Sequence, residues 1–340
     1  MSELNIAELL ADQLDKLLSA EVGAESLAAL EEGVGTLSLW QQVEEMGIAD
    51  VMRSGADDAG LGWQDCAELF RVLGRHAAPL PLAETLIGRG LLSSVGMTVP
   101  DGPLALIEDV LTLDANGVLQ GRVDMMTWAP WASHWVGVAE QSGESRLFCV
   151  ARGEGEAVTT LERAPTLSVD LTGVQALAVA PIADATLMRS QFALARALMI
   201  SGACDKVVEL AVEYANTRKQ FGKPIGKFQA LQHQLAEASC RAAATEMAAK
   251  YACRKLDLGE HSSGAAVAKY TAGVAAKEVS RIAHQVFGAI GITDEHELHY
   301  FTRRLWQWRV DGGSERYWSE QIGRGALQAG AAQLWSSLTA

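Results

Sequence analysis

The run Arg218-Lys219-Gln220-Phe221-Gly222-Lys223-Pro224-Ile225-Gly226-Lys227-Phe228-Gln229 concentrates residues able to hold a phosphorylated ligand. Arg218 offers a planar fork of donors suited to a pyrophosphate. Gly222 and Pro224 interrupt the helical patterns on either side, so the run reads as a loop that turns one helix back against another. Arg218 and Lys219 also fall at the negative end of the preceding helix, and an isolated Arg-Lys pair there is ordinarily a dipole partner before a turn. A second run, Gln285-Val286-Phe287-Gly288-Ala289-Ile290-Gly291-Ile292-Thr293, carries glycines that let a backbone approach a ligand closely. Gln285 adds an amide for a polar edge. Alone, this run reads as a Gly-rich helix end. His76 is a candidate acid or base, but at the end of a helix it reads first as a dipole partner. Trp128, Trp131 and Trp135 could line an apolar cleft, with core packing as the default. Five scattered cysteines, Cys66, Cys149, Cys204, Cys240 and Cys253, show no zinc-ligand spacing, so no metal is expected.

These residues need elements to hold them. The 340-residue chain is long enough for two or three packed units. Its 49% hydrophobic content and mean hydropathy of +0.08 are those of a globular protein. A formal charge of -14 argues against a nucleic-acid backbone as partner. The amphipathic, acidic N-terminus lacks the pattern of a signal peptide, and no apolar run is long enough to span a membrane, so a cytoplasmic location is expected.

Helical spacing dominates residues 1–98: Leu4, Ile6, Leu9, Leu10, Leu14, Leu17 and Leu18 share one face, and Leu37 to Met46 and Trp63 to Leu73 repeat the pattern. Gly74 through Pro81 ends the last of these. Over 99–182 the period shortens. Leu104 to Ile107, Val110 to Leu113, Gly117 to Leu119, Gly121 to Met126, Trp135 to Ala139 and Arg146 to Val150 predict short strands of a small antiparallel barrel or sandwich. Residues 183–340 predict four helices packed as a bundle. The fold class expected is therefore mainly α with a small β middle domain. Apolar residues on both sides of some C-terminal helices point to burial against other subunits.

The first run resembles the Arg-Lys-x-Phe-Gly-(Lys)-x-(Ile/Leu)-x-x-x-Gln segment of the flavin-dependent acyl-CoA dehydrogenases. The second is similar to that family's Gln-x-x-Gly-Gly-x-Gly-(Tyr/Phe/Ile)-(Thr/Ser), with Ala289 in place of the second Gly, and follows at the family's spacing. The resemblance covers the C-terminal half well and the N-terminal half by helix pattern only. It implies FAD as cofactor, an N-terminal helical domain, a short β-barrel and a C-terminal four-helix bundle. It also implies Arg218, Phe221, Gln229, Gln285, Gly288 and Ala289 as contacts to the ADP half of an FAD whose ring lies in a neighbouring subunit. The family's Thr-Glu-Pro-x-x-Gly-Ser-Asp-type segment, which holds the flavin ring, has no counterpart between Leu92 and Asp124. The nearest match to its Trp-(Ile/Thr)-(Thr/Ser)-Asn strand is Met126-Thr127-Trp128-Ala129-Pro130.

The reaction so implied removes the α proton of an acyl-CoA thioester while the β hydrogen leaves as hydride to the flavin. It needs a desolvated carboxylate within contact of the α carbon. The family's usual Glu stands in a (Tyr/Trp)-Glu-Gly-Thr segment, and the matching stretch here is Trp308-Arg309-Val310-Asp311-Gly312-Gly313-Ser314-Glu315. Asp311 falls at the base position, one methylene short. That is about 1.5 Å of reach, and misplacement near 1 Å costs on the order of 100-fold in rate. Gly313 and Glu315 fall in the flavin-contacting turn. Read plainly, Asp311 is instead an N-cap before Ser314 and Glu315. Some members carry the base on the helix before the Arg-Lys loop. Counting back from Arg218 puts Phe192 there and Ala193 where many members have an Arg, with Gln191 and Arg196 adjacent. A missing side chain at Ala193 leaves room for a bulky acyl group.

A retained ADP edge beside a missing ring site and Glu resembles the incomplete, non-base-bearing subunit of α2β2 acyl-CoA dehydrogenases associated with steroid side chains. A homologous subunit, an acyl-CoA substrate and an electron-transfer flavoprotein are the partners that branch implies. Two alternatives stand beside it: a self-sufficient homo-oligomer using Asp311 as base, and a non-catalytic scaffold that binds a partner or an acyl-CoA.

Overall fold

The computed structural model describes residues 6–35, 37–55, 60–330 and 332, so Leu4 of the first apolar face lies outside the described residues. The chain divides into two compact units, Met1–Phe192 and Ala193–Ala340.

The first unit opens with helices. Helix α1 (Ile6–Glu21) buries Ala7, Ala11, Leu14 and Leu18, spaced as one helical stripe. Ile6 and Leu9, expected on that stripe, are 62% and 44% exposed. The small alanines take their place because they let α1 sit close to α4. Helices α2 (Ala24–Glu31), α3 (Leu37–Glu45), α4 (Trp63–Arg75) and α5 (Leu82–Ser94) follow. Trp63 stacks on Phe70 along α4, with ring centroids 5.3 Å apart. Buried Arg89 on α5 ties the connections together: it pairs with Glu44 at 3.2 Å and Asp50 at 2.9 Å and donates to the Gly102 carbonyl. His76 pairs with Asp15 at 2.7 Å, an interhelix contact rather than a catalytic one.

Two sheets follow, in the order β2-β1-β4-β5-β8 and β3-β7-β6. Their strands are β1 (Leu104–Leu113), β2 (Leu119–Gln120), β3 (Arg122–Thr127), β4 (His134–Gln141), β5 (Glu144–Ala151), β6 (Glu156–Ala157), β7 (Thr166–Asp170) and β8 (Ala178–Pro181). The two strands expected over 104–113 are one, with a register irregularity between Ile107 and Leu111. The sheets are not purely antiparallel either. β1 runs parallel to β4, and the intervening chain supplies the crossover by placing β3 in the other sheet. Strands β6, β7 and β8 escaped the sequence pattern because they are short and show no clean alternation.

Trp135, Phe148, Leu111, Leu119 and Met126 belong to the core of this region, and the Trp135 indole donates to the Ala129 carbonyl. Trp128 is buried too, on a left-handed backbone, in a small cluster with Leu30 and Ala164 that Trp131 borders. Gly137 on β4 leaves no space: a Cβ there would stand 2.6 Å from the Phe148 ring and 3.0 Å from Ile107. Gly137→Ala is therefore expected to cost about 1–3 kcal/mol of stability through overpacking, measured by denaturant unfolding of the purified chain.

The second unit is helical. Helix α6 (Leu187–Thr217) enters it, and α7 (Gln229–Asp257), α8 (His261–Phe287), α9 (Leu298–Trp308) and α10 (Glu315–Ala329) complete it. Gly264 lets α8 approach α7 closely, since a Cβ there would lie 3.1 Å from the Ala252 Cα. The final helix expected from the sequence is two helices. Gly312 and Gly313 adopt φ values of 68° and 105° and break it. No helix among the described residues is long and apolar enough to cross a membrane.

Candidate cofactor-binding site

The segment after α6 is more ordered than a plain loop. Lys219–Gln220 (β9) pairs antiparallel with Lys223–Pro224 (β10), and Phe221 and Gly222 form the tip with φ of 52° and 79°. Two successive positive φ values are the signature of a tight hairpin turn. A phenylalanine pays a steric penalty there that a glycine avoids. Phe221 is nevertheless 89% exposed, with its ring edge-on to Phe228 at 6.1 Å. Lys223 caps the Phe228 ring at 4.4 Å. The Arg218 carbonyl accepts from the Ile225 amide at 2.9 Å, which closes the base of the hairpin and leaves the Arg218 side chain in solvent. Gln229 is exposed at the start of α7, whose cap residue Phe228 gives no side-chain cap bond. The Leu231 and Gln232 amides of its first turn both donate to the Phe228 carbonyl, at 3.0 and 3.1 Å.

Phe287, the last residue of α8, stacks on Tyr214 in the last turn of α6 with ring centroids 4.3 Å apart. That contact brings the two helix ends together, and with them the Arg218 hairpin and the Gln285–Gly288 turn. Gln285, Gly288 and Ala289 are exposed there. Gly288 takes φ 63° and ψ -139°, and nothing lies within 4 Å of the place its Cβ would occupy. Behind this edge His296 packs against Phe287 at 4.5 Å, and its Nδ1 accepts from the Leu298 amide. Burial holds His296 and the neighbouring His284 below the usual imidazole range, consistent with a neutral acceptor.

Asp311 lies elsewhere, in the turn between α9 and α10, and it is buried. Ser314, not Asp311, is the N-cap of α10, accepting from the Tyr317 amide. The Asp311 Oδ1 accepts from Gln307 Nε2 at 2.7 Å, and its Oδ2 lies 3.4 Å from Arg196 Nε. Burial pushes the Asp311 carboxyl up, against the pull of Arg196 first, then Gln307 and Lys269. Gly313 and Glu315 are committed inside the same turn. The Gly313 carbonyl accepts from Lys269 at 3.0 Å, and Glu315 pairs with Arg309 at 2.7 Å. Phe192 and Ala193 on α6 are both buried.

Tyr214, Lys269 and Gln307 carry much of this geometry and were not assigned roles from the sequence, whereas Arg196, named there only beside the Phe192 and Ala193 positions, is buried with its Nε 3.4 Å from Asp311. Lys269 gives the clearest signal in hindsight, a lone cation in the Ala-rich stretch from Ala265 to Ala276. Gln307 stands one helical turn before Asp311.

Acyl-CoA dehydrogenase IpdE2 of Mycolicibacterium smegmatis is 31% identical to this chain over 317 residues, covering 87% of this chain and 91% of that protein. This chain belongs to the acyl-CoA dehydrogenase family. Residues 183–327 match the family described as acyl-CoA dehydrogenase, C-terminal domain, which contains both runs singled out above. The fold is that of solved family structures. The Tcur3481–Tcur3483 steroid ACAD superposes with a TM-score of 0.89 at 23% identity, covering 95% of this chain and 98% of that one. The ChsE4–ChsE5 complex from Mycobacterium tuberculosis does so with a TM-score of 0.85 at 21% identity, covering 96% and 98%.

Proposed function

We propose that this acyl-CoA dehydrogenase chain works as one subunit of a hetero-oligomer, an α2β2 assembly with a homologous chain, that introduces an α,β double bond into a CoA thioester. The acyl group is bulky, of steroid type, as the solved steroid ACAD suggests; Ala193 itself is packed against Ala266 and Trp318. In this reading the chain supplies the ADP-binding side of a shared FAD site and the partner supplies the flavin-ring pocket. Electrons leave for an electron-transfer flavoprotein, and the three-part division at 98 and 182 separates the helical, barrel and bundle domains.

The observation that carries the reading is the Tyr214–Phe287 stack, which holds the end of α6, just before the Arg218 hairpin, against the end of α8, just before the Gly288 turn. The residues there fit an adenine dinucleotide: a cationic fork at Arg218, an amide at Gln285, and open backbone at Gly288 where nothing crowds the Cα. Phe221, held outward at an energetic cost, fits a ring that inserts into a partner rather than into its own subunit. When bound, FAD supplies the acceptor for the hydride. This chain's own residues hold the pyrophosphate and the adenine.

Arg218→Ala tests the assignment. Loss of a charge-assisted fork is expected to weaken FAD binding to the co-expressed complex by about tenfold or more. Flavin absorbance after dialysis reads this directly, and unchanged flavin content would sink the assignment.

A further inference from the structure

The turn between α8 and α9, residues 288–297, is fastened to the bundle at two imidazoles. His296 Nδ1 accepts from the Leu298 amide at 3.1 Å, so this nitrogen carries no proton, and the ring lies against Phe287. Leu298 is the first residue of α9 and fully buried, so its amide has no water to fall back on. His284, in the last turn of α8, meets the Thr302 hydroxyl of α9 through Nε2 at 3.1 Å. Its Nδ1 is buried and has no hydrogen-bond partner among the described residues. That nitrogen faces the turn, since a Cβ at Gly291 would stand 3.3 Å from it.

Neutral imidazoles suit both places and charged ones do not. A proton added at His296 Nδ1 points at the Leu298 N–H and breaks that bond. It also sets a cation at the positive end of α9. Protonated at both nitrogens, His284 buries a charged N–H with nothing to receive it. Burial accordingly holds both groups below the usual imidazole range. The charged neighbours do not reverse this. Glu297 and, from α6, Glu213 draw a proton toward His296, while His299 and Lys206 oppose it. Lys206 is itself 3.8 Å from Glu297. His299 donates through Nδ1 to the His296 carbonyl, and its Nε2 faces the exposed Asp294 at 3.8 Å, a pair too solvated to hold the turn alone.

We infer that His284 and His296 form a pH-sensitive catch that holds the 288–297 turn against α8 and α9 while both are neutral and frees it as the medium acidifies. Both imidazoles regain their ordinary proton affinity when the turn opens, so the open form binds more protons than the closed one. The closed turn is fully favoured above the ordinary imidazole range and is lost progressively as pH falls below about 6.5. One unit lower, each imidazole that gains a proton on opening shifts the balance by up to about tenfold. Gly288 and Ala289 lie in this turn, so in the functional reading above acid also loosens the cofactor edge. The catch rests on that reading only for this consequence.

Hydrogen exchange of the full chain at about pH 7.5 and about pH 5.5, corrected for the intrinsic pH dependence of amide exchange, tests the catch. The 288–298 amides are expected to lose protection on the order of tenfold at the lower pH, with α7 unchanged as the internal reference. His284→Asn/His296→Asn keeps an acceptor at each place without a titrating group, and is expected to abolish the loss. An unchanged wild-type turn would overturn the inference before any variant is made. A double variant that keeps the acid response would overturn it too, since Glu213, Glu297 or His299 would then carry the effect. Should the double variant not fold, His296→Asn alone is expected to shrink the response, and a full wild-type response in it would overturn the catch. Flavin retention by the co-expressed complex at the same two pH values separates the two readings. Exchange that responds to acid while flavin stays bound leaves the catch standing and counts against the Gly288 turn as a cofactor edge.

Discussion

Phe287→Ala is expected to destabilise the chain by about 3–5 kcal/mol, the usual range for removing a buried aromatic side chain. Phe287 is 3% exposed and sits between Tyr214 at 4.3 Å and His296 at 4.5 Å, so its loss leaves a cavity bounded by rigid rings that collapse poorly. The consequence reaches beyond stability. The ring is the contact that draws the end of α8 against the end of α6, and Gly288 follows it directly. Flavin retention in the assembled complex is therefore expected to fall even at temperatures where the variant stays folded. Denaturant unfolding and flavin titration on the same preparation check the two effects separately. A variant that loses stability but binds flavin normally would detach the stack from the cofactor edge.

Gly313→Val is the second large effect. At φ 105° a β-branched residue is strained, and a Cβ would stand 2.8 Å from the Trp318 indole nitrogen and 2.8 Å from the Tyr317 ring. Backbone strain of about 1–3 kcal/mol adds to overpacking of similar size. Relief requires moving Trp318 away from the Gly312 carbonyl or Tyr317 away from the Ser314 cap, so α10 should detach first. Hydrogen exchange along residues 315–329 would show this as faster exchange confined to α10. Uniform exchange across α8, α9 and α10 would mean instead that the bundle loosens as a whole.

What was legible in the sequence follows from the range over which each interaction acts. The Arg218 and Gln285 runs could be read because their glycines, cations and amides lie within a dozen residues of one another. The helices could be read because a buried stripe repeats every turn. The hairpin inside the first run could not. Its strands are two residues each, too short for any alternation, and Phe221 gives no hint of a left-handed backbone that glycine or asparagine would announce. The parallel pairing of β1 with β4 was also hidden, since strand direction depends on where the intervening chain goes. Asp311 was found by its position in a motif, but its surroundings were not. Arg196 reaches it, and Lys269 the Gly313 carbonyl of its turn, from helices far away in sequence, and a lone Arg or Lys on an apolar helix carries no record of its partner.

The central claim is that this chain holds one edge of a flavin site that only a partner completes. Flavin stoichiometry by visible absorbance tests it most directly, on the chain purified alone and then co-expressed with a homologous subunit. The account predicts no flavin on the lone chain and one FAD shared by each pair of unlike chains in the complex. A full complement of flavin on the lone chain would contradict it.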